Sequence, residues 1–260
     1  MRPTARLSMV LALTAGLHLT ARGAAEPVAI VPVEGEGAKY WTRWRGPSGQ
    51  GVVPAANYTD TWSDTERVKW RTAVPGLGHS SPIVWRDHLF LTTASDDGAR
   101  VSMLAFNRLD GKRLWETVVP SQGVEHVYAK NSRASATPTT DGQLVYASFG
   151  THGLAAFDFS GKIVWHRQLG QLSNYHGSAG SPVLYKDRIF LYQDHDGSAT
   201  LQSFVAAFDA KTGKDIWWKD RVETVGWGTP VVVRNAPFTV DGTPMPTRYW
   251  LVDRDHSAAV

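Results

Sequence analysis

His79, Lys130, Asn131, Arg133, His176 and Trp227 each lie three to eight residues ahead of the proline of a Ser-Pro or Thr-Pro pair. Those pairs recur at Ser81-Pro82, Thr137-Pro138, Ser181-Pro182 and Thr229-Pro230. Two imidazoles, two cations, an amide and an indole can hold a small polar or anionic ligand, or the end of a peptide, by hydrogen bonds and one aromatic face. The sequence offers no companion chemistry for catalysis. It has no Ser-His-Asp order and no Gly-x-Ser-x-Gly elbow. Gly46-Pro-Ser-Gly49 lacks the Gly-Lys-Ser/Thr ending of a phosphate loop. The absence of cysteine excludes a thiol nucleophile, a Cys-ligated zinc or Fe–S centre and a disulfide framework. Asp96-Asp-Gly98 and Asp194-His-Asp-Gly197 carry carboxylates, but neither has the spaced ligands and terminal Glu of a twelve-residue calcium loop. Asp-Gly is also what a tight hairpin turn uses. The reading therefore assigns no catalytic residue and no metal ligand.

The elements that must position these side chains come from a repeat. Three segments match: Leu104-Ala-Phe-Asn-Arg-Leu-Asp-Gly-Lys-Arg-Leu-Trp115, Ala155-Ala-Phe-Asp-Phe-Ser-Gly-Lys-Ile-Val-Trp165 and Ala206-Ala-Phe-Asp-Ala-Lys-Thr-Gly-Lys-Asp-Ile-Trp217. Their tryptophans stand 50 and 52 residues apart. Trp70 reads as the outer strand of an earlier unit. The Ser/Thr-Pro series runs out of phase, with spacings of 56, 44 and 48. Each pair opens a hydrophobic run, and a second run follows at 88–94, 143–149, 188–193 and 248–252. One unit is then four strands: an inner one after the proline, a second with an aromatic, a third ending in Ala-Phe-Asp/Asn, and an outer one with the tryptophan. Asp158 and Asp209 should bind turn N–H groups, and Gly111, Gly161 and Gly213 should supply the positive φ there. Trp115, Trp165 and Trp217 are large and flat enough to wedge between neighbouring units.

Four strands per unit, a period of 44–56 residues and no helix between units predict an all-β chain, a β-propeller of four-stranded antiparallel blades. With 24 Gly and 14 Pro among 260 residues, the composition agrees. About four blades are present over 61–260, behind a lead-in segment at 26–60. Residues 253–260 read as holding no further strand. The early stop of the fourth unit and the partnerless outer strand at Trp70 predict an incomplete ring, with a genuine four-bladed ring as the competing reading.

Residues 1–25 read as a secretory signal: Arg2 and Arg6, an apolar run from Leu7 to Leu19, then Gly23-Ala-Ala25. The run is shorter than a membrane span needs, so no transmembrane anchor is expected after cleavage, and the mature chain should be periplasmic or secreted. Without that segment, which holds Arg2, Arg6 and Arg22 and no acid, 24 basic residues face 24 acidic ones. That balance gives no electrostatic case for nucleic acid.

The Ala-x-Asp…Gly-Lys-x-x-Trp repeat resembles the tryptophan-docking motif of pyrroloquinoline quinone (PQQ)-like β-propeller proteins. Trp41-Thr-Arg-Trp44-Arg-Gly-Pro-Ser-Gly-Gln-Gly51 and Lys130-Asn-Ser-Arg-Ala-Ser-Ala-Thr-Pro138 are similar to that family's exported bacterial members. The resemblance implies a full ring of seven or eight blades, of which this chain would form part, and three functions. The first is a non-catalytic binding or scaffold module of the cell envelope, holding an envelope protein or small polar ligand without a cofactor. The second is a PQQ- and Ca²⁺-dependent alcohol or sugar oxidoreductase. The third is a BamB-like outer-membrane protein assembly factor. The quinone enzymes of the family commonly stack their cofactor on a vicinal Cys pair, which this chain lacks.

Overall fold

The computed structural model describes residues 29–53, 58–120, 123–196, 200–222, 224, 226–235, 238–240, 243–245, 248–252 and 257–259, with side chains up to 234. Residues 1–25, read above as a secretory signal, lie outside these residues.

The strands, in chain order, are β1 (Ala29–Ile30), β2 (Ile83–Trp85), β3 (His88–Ala94), β4 (Val101–Asn107), β5 (Arg113–Val118), β6 (Thr139–Thr140), β7 (Leu144–Ser148), β8 (Leu154–Asp158) and β9 (Ile163–Arg167). They continue as β10 (Val183–Tyr185), β11 (Arg188–Gln193), β12 (Ser203–Asp209), β13 (Asp215–Arg221), β14 (Val231–Asn235), β15 (Phe238–Val240), β16 (Thr243–Met245), β17 (Arg248–Val252) and β18 (Ser257–Ala259). Two short 3₁₀ turns, 35–39 and 150–152, are the only helical pieces among the described residues.

Three sheets run β2-β3-β4-β5, β6-β7-β8-β9 and β10-β11-β12-β13, every neighbour antiparallel. These are three blades of the expected kind, each in simple up-and-down order. A fourth sheet runs β1-β14-β17-β18. The molecule is thus a partial β-propeller of about four blades.

The repeat is exact at the level of register. Ala105 pairs with Trp115, Ala156 with Trp165 and Ala207 with Trp217, and a β-bulge follows each pair, before Phe106, Phe157 and Phe208. The bulge turns the outer strand so that its indole leaves its own sheet for the next one. The turn after the third strand is built alike each time. Asp158 Oδ1 accepts from the backbone N–H of Ser160 and Lys162 at 2.9 and 3.0 Å. Asp209 Oδ1 accepts from Thr212 N–H at 2.8 Å, and Asn107 Oδ1 from Leu109 N–H at 2.8 Å. Gly111, Gly161 and Gly213 close these turns at φ of 72°, 91° and 69°.

Onto each of these glycines packs an indole from earlier in the chain, Trp70 on Gly111 and the outer-strand tryptophan of the preceding blade on Gly161 and Gly213. A Cβ on Gly161 would sit 2.7 Å from the Trp115 ring, and one on Gly213 would sit 2.6 Å from Trp165. The indole N–H then donates to a turn carbonyl: Trp70 to Arg108, Trp115 to Phe159 and Trp165 to Ala210, all at 2.9 Å. Glycine is needed here for close approach as much as for its positive φ. Inside its own sheet each tryptophan meets the second-strand aromatic: Trp115–Phe90 at 5.9 Å, Trp165–Tyr146 at 6.1 Å and Trp217–Phe190 at 6.1 Å.

Successive strand residues point to opposite faces, so a middle blade is buried on both sides. Val145, Ala147, Ala155 and Phe157 pack against Ile83, Phe90, Val101 and Met103 of the first blade. Their neighbours Tyr146, Leu154 and Ala156 pack against Ile189, Leu191, Phe204 and Phe208 of the third. The core is the set of interfaces between blades.

Two expectations need correction. The segment around Trp70 is not a strand; its indole docks from irregular chain, because a side-chain wedge needs no ladder. Residues 253–260 do hold a strand, since β18 pairs with β17 through Val252 and Ser257. Ser257-Ala-Ala259 is short and small and carries no alternating pattern.

Candidate functional site

The antiparallel order puts every second connection at one end of the blades. Loops 72–82, 119–138, 168–182 and 222–230, which lead into the inner strands, therefore share a face. Between consecutive blades this face is tied by a chain of hydroxyls. Ser81 N–H donates to Thr137 Oγ1 at 3.0 Å, Thr137 N–H to Ser181 Oγ at 2.9 Å, and Ser181 N–H to Thr229 Oγ1 at 3.3 Å. The hydroxyl before each of the last three prolines thus satisfies the backbone of the previous blade. The sequence shows the spacing of these residues and gives no sign of their linkage.

The lead-in runs along the inner edges of the blades as a plug. An inner strand has a free edge toward the axis, and such an edge seeks partners. β1 pairs with β14 through Ala29–Arg234 and Ile30–Val233, and Val31 N–H continues to Val232 O at 2.8 Å. Val84 N–H donates to Trp41 O at 2.7 Å, and Thr140 N–H to Thr42 O at 3.1 Å. Arg43 fixes the fold of this plug, donating to Val31 O at 2.9 Å, Pro47 O at 3.0 Å and Gly46 O at 3.2 Å. Its burial pulls the guanidinium pKa below the ordinary value.

The plug leaves a cavity on each side. One, of about 720 Å³, lies over the first-to-second strand turns and holds Glu36, Arg86 and Asp141. Two of its carboxylates are held by neighbours: Arg86 donates to both Glu36 oxygens at 2.8 and 3.0 Å, and Asp141 accepts from Tyr146 at 2.9 Å; Glu34, Lys186 and Arg234 also line it. The other, of about 550 Å³, opens on the loop face. Its wall includes His79, Asn131, Trp227, Thr137, Ser181 and Thr229, with Ile30, Trp44, Arg45 and Gly49 of the plug as floor.

Of the six expected site residues, His79, Asn131 and Trp227 therefore meet in the mouth cavity. His176 stands at its rim, 5.2 Å from the Trp227 ring. Asn131 ties the rim together, donating to His176 O at 2.7 Å and accepting from Ser135 Oγ at 2.6 Å. Arg133 turns away: its Nε donates to Glu125 O at 2.6 Å, and its side chain packs on Gly98. Lys130 is exposed outside the cavity wall. The plug residues Trp44 and Arg45 carry no repeat signal, so the spacing argument passes over them.

From the cavity an aromatic ledge extends across the loop face. His176 contacts Tyr128 at 5.6 Å, Tyr128 contacts Tyr175 at 5.8 Å, and Tyr175 contacts His126 at 5.6 Å. Tyr175 is 57% exposed and Trp227 41%. Beneath the ledge lies the buried Glu125. Its carboxylate accepts from Thr151 N–H at 2.8 Å and Ser178 N–H at 2.9 Å, while burial pushes its pKa up. It pins the 119–138 loop to the next two loops. The acidic segments form turns and an internal pair: Asp97 Oδ1 accepts from Ala99 N–H at 3.0 Å, and Asp194 lies 3.3 Å from Arg221 in the interior.

Ca²⁺ takes six to eight oxygens, with carboxylates among them, and among the described residues no Asp or Glu lines the mouth cavity. Among the described residues no three His, Asp or Glu side chains form a metal-binding group. Among the same described residues no helix is long and apolar enough to cross a membrane.

A family model described as outer membrane protein assembly factor BamB matches residues 35–255. The outer membrane protein assembly factor BamB of Moranella endobia (strain PCIT) is 29% identical over 143 residues, 55% of this chain. The chain spans about a third of that relative, 32% of its length. Among solved structures, quinohemoprotein alcohol dehydrogenase ADHIIG from Pseudomonas putida HK5 is similar at a TM-score of 0.54 and 13% identity. The likeness covers 89% of this chain and 51% of that one, and is one of fold.

Proposed function

The chain belongs to the BamB-like family of PQQ-repeat propellers, and on that premise we propose that it is a non-catalytic binding module of the bacterial cell envelope, acting in outer-membrane protein assembly. One observation carries the choice over quinone chemistry: the mouth cavity is walled by hydrogen-bond donors, and none of the described carboxylates lines it. A dehydrogenase of this fold would need carboxylate oxygens for its metal and a base at the substrate hydroxyl. Here the polar groups of the loop face hold the blades to one another and leave one exposed aromatic ledge. Such a face suits a polypeptide partner, because aromatic rings give large contact area at low entropic cost. The family name and the reading of 1–25 as an export signal support the compartment.

The test is a titration of the purified chain with PQQ and Ca²⁺, followed by dye reduction with alcohols and sugars. The expected result is no shifted quinone band and no turnover. Micromolar quinone binding that a chelator abolishes would replace this reading with the oxidoreductase.

A further inference from the structure

We propose that the mouth cavity takes the free carboxylate end of an extended peptide, with the preceding residues lying along the aromatic ledge. The proposal rests on the reading of the protein as a binding module and names what its loop face would hold.

The donor set comes first. The oxygens of Thr137, Ser181 and Thr229 each already accept a backbone N–H from the blade before. What each hydroxyl has left to give is its proton. Among the described residues none of the three donates it to the chain, and all three line the cavity. Arg45 adds a permanent cation to the floor, its guanidinium 5.8 Å from the centre of the Trp44 ring. Its backbone is held at φ 58°, a left-handed conformation that arginine rarely adopts. His79 supplies a further donor in either tautomer. With no acid among the described residues of the wall, the complement is an acceptor-only anion, and a carboxylate accepts at both oxygens from several donors at once.

The walls say what is attached to that carboxylate. Ile30, Val231, Trp44 and Trp227 are apolar, so they favour an apolar terminal side chain. About 550 Å³ accommodates a residue or two and no more. The Trp227 indole N–H is committed to Gly177 O at 3.2 Å, which fixes the ring as a packing surface. From that ring the ledge of His176, Tyr128, Tyr175 and His126 leads outward in steps of 5.2–5.8 Å. A free small acid would leave this ledge unused, whereas an extended chain anchored at its end would cross it.

The probe is fluorescein-Gly-Ser-Ala-Tyr-Pro-Leu with a free C-terminus, measured by anisotropy against the whole chain. Its C-terminal amide should bind about tenfold more weakly or worse, since charge-assisted bonds are lost. Arg45→Asn, which keeps a side chain tolerant of the left-handed backbone, should weaken the free acid by about tenfold and leave the amide unchanged. Tyr175→Ala should weaken the peptide severalfold while a thermal melt confirms the fold. Succinate serves as the small-acid arm and should compete far more weakly than unlabelled peptide. Equal binding of acid and amide overturns the proposal. So does binding absent at about 1 mM peptide, and so does succinate competing as well as the peptide. None of these results bears on the quinone titration or on outer-membrane protein levels, so the binding-module reading fails or stands separately.

Discussion

Removing the Trp165 indole tests the docking that joins the blades. Trp165 is 9% exposed. It lies on Gly213, meets Tyr146 at 6.1 Å and donates to Ala210 O at 2.9 Å. Trp165→Ala deletes all three contacts and leaves a slot between two stiff sheets that cannot close. Large-to-small changes of this kind cost about 3–5 kcal/mol. In a domain of this size that lowers the melting temperature by about 6–20 °C. Trp165→Phe separates the terms: it keeps much of the ring area and orphans the Ala210 carbonyl, at a cost of about 1–2 kcal/mol. The control is the adjacent Trp218, 41% exposed and stacked on Phe204 at 3.7 Å, outside the docking positions. Trp218→Ala should cost about 1 kcal/mol. Circular dichroism melts and urea titrations of the three variants give the comparison. If Trp165→Ala loses no more than Trp218→Ala, the docked indoles do not hold the blades and the account of the fold is wrong.

Gly213→Ala should also destabilise, by about 2 kcal/mol or more, because the methyl group meets both the left-handed backbone and the indole; a neutral melt would show that the close approach is not needed. Thr137→Val orphans the Ser81 N–H and should cost about 1–3 kcal/mol, with Thr137→Ser restoring most of it; equal melts for Val and Ser would remove the hydroxyl chain from the argument. Burial lowers the pKa of His88, His152 and His195 from the ordinary 6.5. The unfolded chain then takes up protons that the folded chain refuses, so stability should fall as pH drops below 6.5. Glu125, whose pKa burial raises from 4.5, opposes this and only partly offsets three histidines. Melts that are flat or rising from pH 6.5 to about 5 would contradict the sign.

The blades were legible because one device repeats at a fixed period. Ala-Phe-Asp/Asn, a glycine and a tryptophan at constant spacing encode the third strand, its turn, the bulge and the wedge together, and three copies confirm one another. Trp70 shows the limit of that reading, since the same docking contact is made without a strand. β18 shows another, because Ser257-Ala-Ala259 has no apolar alternation to detect. The site was half legible. Position ahead of the inner strand brought His79, Asn131 and Trp227 to one mouth, because topology alone sets which end a loop occupies. It failed for Arg133, whose direction is set by Glu125 and the Gly98 turn in another blade. Arg45 and Trp44 were invisible to it, since the plug pairs with strand edges through its backbone and backbone pairing leaves little mark on side-chain choice.

The central claim is that this propeller serves outer-membrane protein assembly by binding and not by oxidation. The most direct measurement is the amount of folded outer-membrane β-barrel protein, read by heat-modifiable gel mobility, in a host lacking the gene and in the same host given the gene back. The account predicts a drop in folded barrels that the gene restores, with no loss of growth on alcohols or sugars as oxidisable substrates. Unchanged barrels together with a growth defect on such substrates, repaired by the gene only when PQQ is supplied, would contradict it.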